Sequence, residues 1–318
     1  MEHRQYDHVE RLDHPAVEGL LIGAVHVFPK IDGANASIWR NAAGDILCGS
    51  RTRLLRDEAA LQGFRAWVEA NMGMLQHVFN SIPETWRLYG EWLVPHTLKT
   101  YREDAWRQFY VFDVFDHATG KYVHFDSYYN ELFDRGLRVV EPMVIILNPS
   151  VDQLYDQVKA NTYLIKDNAG LGEGIVAKNF HWVNDYGRQP WGKIVRTEFK
   201  EENRRAFGVN EKSGEFQVES AIAEEFVTGH FVSKARAKIE NAILDEDGVS
   251  VSDVEKASQA LAIKRHHVIP RLLQTVYTDL LIEESYHFVK KHSDPVIDFK
   301  KLRRFVTAAV KKNALDLF

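Results

Sequence analysis

The sequence predicts an α+β protein: a strand-rich part with antiparallel sheets, followed by a small all-helical part. Up to about residue 200, short runs rich in Val, Ile and aromatic residues alternate with turn clusters and a few helical stretches. After Glu201 the strand-like runs stop. Apolar residues then recur at helical spacing, at Tyr277, Leu280, Leu281 and Phe288, and again at Leu302, Phe305, Val306, Ala309 and Val310. A chain of 318 residues is long enough for two parts with separate cores. The expected division is 1–205 and 206–318, with Lys212-Ser213-Gly214-Glu215 as the linker.

Residues 1 to about 15 read as an irregular or short helical lead-in closed by Pro15. Val17 to Trp39 is strand-like and broken at Gly33, with the apolar run Leu20 to Val27 as the strand that leads to Lys30. Ala36–Arg40, a turn at Asn41–Asp45 and a return at Ile46–Cys48 make a hairpin. Glu58 to Phe79 is a helix, with apolar positions at Leu61, Phe64, Trp67, Val68, Leu75 and Val78. Trp86–Trp92 and Phe109–Phe115 are strands, and Asp126–Arg135 is a helix. Val139–Ile146 is a strand in which Pro142 marks an edge or bulge. Val151–Ala160 is a helix, Ile175–Lys178 a strand after a Gly-rich turn, and Gly192–Phe199 the last strand. In the helical part, Ser252 and Glu255 have the spacing of a capping box.

The totals exclude several classes. No apolar stretch is long enough to span a bilayer, and the polar N-terminal residues lack a signal-peptide core, so a cytoplasmic or nuclear protein is expected, with the cytoplasm as the first choice. The single cysteine, Cys48, excludes an intrachain disulfide and a Cys-based zinc cluster; in an apolar run it reads as a core residue. A net charge of −5 argues against coating nucleic acid with the whole surface, but allows a basic groove. There is no phosphate loop of the Gly-x-x-x-x-Gly-Lys-Ser/Thr type and no His-Glu-x-x-His. His266 and His267 are expected to point apart on a helix.

The chemistry gathers at Phe28-Pro29-Lys30-Ile31-Asp32-Gly33-Ala34-Asn35, at the end of an apolar strand. A lysine amine is a covalent nucleophile when deprotonated, and burial and nearby cations favour that form. Gly33 allows a tight turn beside it, and Asp32 and Asn35 offer polar atoms to a substrate. Alone, Lys-x-Asp-Gly also fits a hairpin turn with a solvated lysine. Five further segments follow in order: Gly49-Ser50-Arg51-Thr52, Leu88-Tyr89-Gly90-Glu91, Val111-Phe112-Asp113-Val114-Phe115, Glu173-Gly174-Ile175-Val176-Ala177-Lys178 and Lys193-Ile194-Val195-Arg196.

This ordered series resembles the nucleotidyltransferase motifs of ATP-dependent ligases and capping enzymes, and within them the RNA ligase 2 family, which includes the RNA-editing ligases. The resemblance covers about the first two thirds of the chain. It implies an ATP-grasp-like adenylation domain and an ATP-dependent RNA ligase that joins 3′-OH and 5′-phosphate ends. Lys30 would take AMP from ATP. Asn35 would contact the nucleotide or the reacting ends, Glu91 the ribose hydroxyls, and the Phe112 ring the adenine. Glu173 would hold Mg²⁺ or Mn²⁺, and Lys193 would neutralise the α-phosphate. Lys178 is a further phosphate contact. Arg51 would touch phosphate or the 3′-OH strand, with Arg53 on the same side if the segment is extended.

The bland alternatives are surface arginines for Arg51 and Arg53, and a core ring for Phe112. Alternation places Phe112 with Val114 on one face. Two departures from the family pattern stand out. Asp32 occupies a place where these RNA ligases often carry His and DNA ligases carry Asp. The usual Lys-x-Lys of the last segment is Lys193-Ile194-Val195, so Arg196 (through a bulge) or Lys178 would have to supply the second cation. The cationic neighbours would also favour an unprotonated Lys30.

The helical part carries Lys290, Lys291, Lys300, Lys301, Arg303, Arg304, Lys311 and Lys312. They read either as a solvated face or as phosphate contacts. A helical rather than β-barrel tail favours RNA ligase within the resemblance. The expected partner is nicked or broken RNA, and the expected state a monomer. The alternatives are an ATP-dependent DNA nick ligase and an inactive protein that binds nucleic-acid ends.

Overall fold

The computed structural model describes residues 1–95, 98–196, 218–251, 253–292 and 296–317. The expected linker at 212–215, Ser252 of the expected capping box and residues 197–199 of the expected last strand lie outside them. The chain divides into two compact units, Met1–Glu202 and Asn203–Phe318.

The first unit holds eleven strands among its described residues: β1 (Glu10–Arg11), β2 (Ala24–Lys30), β3 (Ala34–Arg40), β4 (Ile46–Ser50), β5 (Trp86–Trp92), β6 (Phe109–Asp116), β7 (Lys121–Tyr122), β8 (Arg138–Val139), β9 (Val144–Leu147), β10 (Gly174–Lys178) and β11 (Gly192–Val195). Four α-helices accompany them: α1 (Ala60–Ala70), α2 (Met72–Ser81), α3 (Phe125–Phe133) and α4 (Val151–Ala160). The strands form two sheets. One has the order β1-β11-β10-β2-β9; the other has the order β4-β3-β5-β6-β7, with β8 also on β6. Pairing is antiparallel except for β1 with β11 and β6 with β8.

Each sheet has an outer apolar face. Val25, Val27, Ile175 and Ile194 of the five-stranded sheet pack with Leu154 and Val158 of α4. Ile38, Leu88 and Val114 of the six-stranded sheet pack with Phe64, Leu75, Val78 and Tyr128 of α1, α2 and α3. The inner faces meet in a smaller aromatic cluster of Tyr6, Tyr89, Phe115, Tyr122 and Trp191, with Phe112 and Val176 against it. Alternation along each strand separates the two kinds of face. The residues left on the inner faces therefore line the space between the sheets.

Several boundaries differ from the sequence expectation, for local reasons. The strand to Lys30 begins at Ala24, not at Val17 or Leu20. Gly19 and Gly23 sit at φ +89° and +98°, and the chain between Pro15 and Gly23 turns before it extends. The long helix splits at Asn71 into α1 and α2, and its first turn is irregular at Leu61–Gly63. The expected strand Val139–Ile146 is two strands in different sheets, with Pro142 at the crossing.

The second unit holds only helices among its described residues: α5 (Val218–Phe226), α6 (Gly229–Glu246), α7 (Val254–Ile263), α8 (Arg265–Glu283), α9 (Ser285–Lys291), α10 (Phe299–Asn313) and a short 3-10 turn. Leu280, Phe288, Leu302, Val306 and Val310 are buried, and Tyr277, Leu281, Phe305 and Ala309 pack around them. Asp253 caps α7, its carboxylate accepting from the Lys256 N–H. The rings of His266 and His267 lie against each other, 4.1 Å between centroids, rather than apart. No helix among the described residues is long and apolar enough to cross a membrane.

Candidate active site

Lys30 is the last residue of β2, and the chain then leaves the five-stranded sheet for β3 of the six-stranded one. Gly33 sits in that crossing. A Cβ there would stand 2.7 Å from Trp92 O and 3.1 Å from Glu91 Cγ, so the glycine is needed for close approach to β5 rather than for a hairpin turn. The crossing brings Lys30, on one sheet, beside Glu91 and Asn35, on the other.

The antiparallel register of β2 and β10 pairs Lys30 with Gly174. Glu173 therefore stands level with the lysine side chain. Lys30 Nζ donates to Glu173 Oε2 at 2.7 Å, and the carboxylate is 6% exposed. The nearest charged neighbour of Lys30 is thus a carboxylate, where the sequence reading placed cations. Gly174 is obligatory: a Cβ would fall 2.1 Å from Ile194 O.

Glu91 pairs with Asn35 across β5 and β3. Its Oε1 accepts the Gly33 N–H at 3.0 Å, which fixes the carboxylate against the crossing. Burial pushes the Glu91 carboxyl up to about 8, with Glu173 and Asp32 adding in the same direction against Lys30 and the Gly33 N–H. Asn35 Oδ1 is buried without a hydrogen-bond partner. A buried acceptor of this kind costs free energy unless a ligand or water satisfies it. Asp32 has a different duty. Its Oδ2 accepts the Leu98 N–H at 2.6 Å and its own N–H donates to Tyr101 Oη at 2.8 Å. The side chain, 4% exposed, pins the segment after β5.

Phe112 sits in a β-bulge. Tyr89 pairs with Asp113 and Gly90 with Val111, so Phe112 is the extra residue between them. Simple alternation through Phe112 therefore fails. Val114 lies in the outer core, while the half-buried Phe112 ring meets Tyr6 edge-on, 5.0 Å between centroids, in the inner cluster.

Lys193 of β11 pairs with Val176, which pairs with Phe28, two residues before Lys30. Lys193 and Lys30 therefore share the inner face of the five-stranded sheet. The two expected stand-ins for a second lysine do not join it. The register of β10 and β11 is regular through Val195, where β11 ends, and the Arg196 N–H continues it to Glu173 O at 2.9 Å, so no bulge turns Arg196 toward Lys193. Lys178 is 2% exposed, and its Nζ lies 2.8 Å from Asp113 Oδ1 and donates to Phe112 O at 2.6 Å. The ammonium expected at a phosphate is committed to a buried carboxylate.

Arg51 follows β4, with Nη2 3.5 Å from His8 Nδ1 and Nε buried without a hydrogen-bond partner. Arg53 does not share its side. Ser50 N donates to Arg53 O and Arg53 N to Ser50 Oγ, so the segment turns instead of extending, and Arg53 is exposed. Cys48 is buried in the outer core, and burial pushes its thiol up to about 11.

Asp113 escaped the sequence reading, although a signal was present. A lone carboxylate inside Phe109–Phe115 has to find partners if that strand is buried. It is fully buried and accepts from Tyr6 Oη at 2.5 Å and Trp191 Nε1 at 3.1 Å, in addition to Lys178. Tyr101 carried no comparable signal.

Among the described residues no group of three or more His, Cys, Asp or Glu is arranged to hold a metal. The carboxylate in direct contact with Lys30 is Glu173, while those of Glu91 and Asp32 accept backbone N–H groups. Glu173 suits a cation such as Mg²⁺, which takes one or two carboxylates and completes its shell with phosphate and water oxygens.

The family model described as RNA ligase matches residues 23–195, more than half of the chain. No curated protein matches by sequence. Among solved structures, the chain is similar to a Naegleria gruberi RNA ligase with PPi, at 19% identity and TM-score 0.48, covering 64% of this chain and 58% of that one. A mutant of that ligase with ATP and Mn matches at 19% identity and TM-score 0.48, covering 63% and 58%. A mutant with AMP and Mn matches at 20% identity and TM-score 0.47, with the same coverage. The chain thus spans less than two thirds of the length of these ligases. On the family match over residues 23–195, the chain belongs to the RNA ligase family.

Proposed function

We propose that the protein is an ATP-dependent RNA ligase that joins a 3′-OH end to a 5′-phosphate end through a lysyl–AMP intermediate on Lys30. The observation that carries this is the meeting of Lys30, Glu173, Glu91 and Asn35 where the chain crosses between the sheets, within the segment that matches the family.

In the first step the Lys30 Nζ lone pair attacks the α-phosphorus of ATP. An N–P bond forms, the P–O bond to pyrophosphate breaks, and pyrophosphate leaves. The amine has to give up a proton, and Glu173 Oε2 at 2.7 Å is the acceptor at hand. Glu91 is placed to hold ribose hydroxyls, and Asn35 Oδ1 to accept from the nucleotide. Phe112 offers its ring to the base. Lys193, on the face shared with Lys30, neutralises phosphate charge as it builds. A divalent cation held by Glu173 with phosphate oxygens and water would supply further charge neutralisation. In the second step a 5′-phosphate oxygen attacks the same phosphorus and displaces Lys30. In the third a 3′-OH attacks the 5′-phosphorus, forms the phosphodiester and releases AMP. Arg51, whose Nε is buried without a hydrogen-bond partner, would contact the nucleic-acid strand. The cationic faces of α9 and α10 are the second unit's candidates for phosphate contact. In this reading Asp32 sets no preference for RNA over DNA, since its carboxylate serves the chain.

The test is sealing of a nicked duplex with ATP and Mg²⁺. The nick carries a 5′-phosphate, and the 3′-OH strand ends in either ribose or deoxyribose. Sealing that requires the terminal ribose supports the RNA ligase reading. Equal sealing of both favours a DNA nick ligase. Binding of nicked ends without any product favours an inactive end-binding protein.

A further inference from the structure

Four segments of the first unit converge on one buried carboxylate. Asp113 of β6 takes Lys178 at the end of β10, Tyr6 of the N-terminal segment and Trp191 immediately before β11. Lys178 and Asp113 are 2% and 0% exposed. The convergence matters because of what else those segments carry. β6 carries Phe112, β10 follows directly on Glu173, and β11 carries Lys193. Asp113 is also the residue next to Phe112 in the bulge, and Lys178 donates its second contact to the Phe112 carbonyl. One ammonium therefore holds both the backbone of the bulged residue and the side chain beside it. Its Nζ lies 4.4 Å from the Phe28 ring centroid and 5.7 Å from that of Phe112. A bulge has no regular ladder to fix its extra residue. Something else must set the direction of the Phe112 ring: Lys178 Nζ at 2.6 Å and Tyr128 Oη at 3.3 Å both donate to its carbonyl, the Tyr6 ring packs on it edge-on, and the ion pair ties the first of these contacts to Asp113 next door.

We infer that Asp113 and Lys178 form a positioning pair that sets the Phe112 ring for the base of the nucleotide, and so contributes to recognition of the base and not of the phosphates. The inference rests on the assignment of Phe112 to the adenine. It reassigns Lys178 from phosphate contact to scaffold. The pair is costly to build: burial raises the Asp113 carboxyl and lowers the Lys178 ammonium from their ordinary values, against their mutual attraction. Two apolar residues of similar volume could fill the same space without that cost. Retaining charge there is consistent with a demand on geometry.

The test compares two ligands in the full chain by calorimetry: ATP, which has a base, and inorganic tripolyphosphate, which has none. The variant is Asp113→Asn with Lys178→Met, which removes both charges at nearly constant volume and deletes the bond to Phe112 O. The expected result is a loss of about tenfold in ATP affinity with tripolyphosphate affinity within about twofold of the parent. Equal losses for both ligands would show a general structural role and overturn the inference, as would unchanged ATP affinity. If the double variant does not fold, Tyr6→Phe loosens Asp113 by one hydrogen bond, and the same selective loss, about threefold, is expected; no selectivity there overturns the inference as well. A parent protein that binds tripolyphosphate but not ATP overturns the placement of the base. A parent that binds neither overturns the ligase reading itself, and the pair's role with it.

Discussion

At the scale of single residues, the site is built from groups whose charge is restrained by where they sit. Glu91 shows this best. Its carboxyl, pushed from 4.5 up to about 8 by burial, stays protonated in the folded protein over a range in which the unfolded chain ionises it. A raised folded value contributes stability that is complete below about 4.5 and is lost as pH rises to about 8. Glu91→Gln cannot ionise. We therefore expect the variant to gain stability relative to the parent as pH is raised from 4.5 to 8, with a constant difference above that. Denaturant midpoints at several pH values measure it; a difference that does not change with pH would contradict the assignment. The residue scale is also where the sequence was most legible. Lys30, Glu91, Asn35 and Glu173 meet as direct contacts or paired neighbours, because each sits at a strand position fixed by register. Lys178, which the family motif offers as a phosphate contact, pairs instead with Asp113 of the neighbouring sheet, a requirement that the motif by itself does not express.

At the scale of elements, glycines decide how close the strands come. Gly174 lets β10 lie against β11, and with it sets Glu173 beside Lys30. Gly174→Ala would place a methyl group 2.1 Å from the Ile194 carbonyl oxygen if nothing moved. We expect the two strands to separate, with a loss of about 1–3 kcal/mol in stability. We also expect a fall in activity larger than the stability loss alone would give, because Glu173 immediately precedes the displaced strand. A thermal melt and a rate measured on the fully folded variant separate the two effects; full activity in a destabilised variant would count against this role for the strand. Element identity was readable from periodicity for β5, β6, α3, α4 and the helices of the second unit, whose apolar residues fall on one face or stripe. What periodicity could not show was a break within a continuous pattern. The α1–α2 kink, the bulge at Phe112 and the change of sheet at Pro142 all interrupt apolar runs that look uniform in sequence. Each depends on a partner element distant in the chain.

At the scale of the whole molecule, the first unit is two sheets with their outer faces covered by helices and their inner faces meeting in an aromatic cluster, with Lys30 and Lys193 on the inner face of one of them. The lysine stands where the chain passes from one sheet to the other, so groups from both can act on one substrate. The order of the motifs along the chain pointed in advance to one shared site, because an ordered series constrains more than any single motif. The two-sheet arrangement itself was not legible: Lys-x-Asp-Gly reads equally as a hairpin within one sheet. The central claim is that Lys30 is a covalent nucleophile toward the α-phosphate of ATP. The most direct measurement is incubation of the purified full chain, first freed of bound AMP, with ATP labelled at the α-phosphorus and Mg²⁺. Denaturing electrophoresis follows, beside Lys30→Ala. A labelled, acid-labile protein band in the parent and none in Lys30→Ala is the predicted result. A folded parent with no band, or a Lys30→Ala variant labelled as strongly as the parent, would contradict the claim.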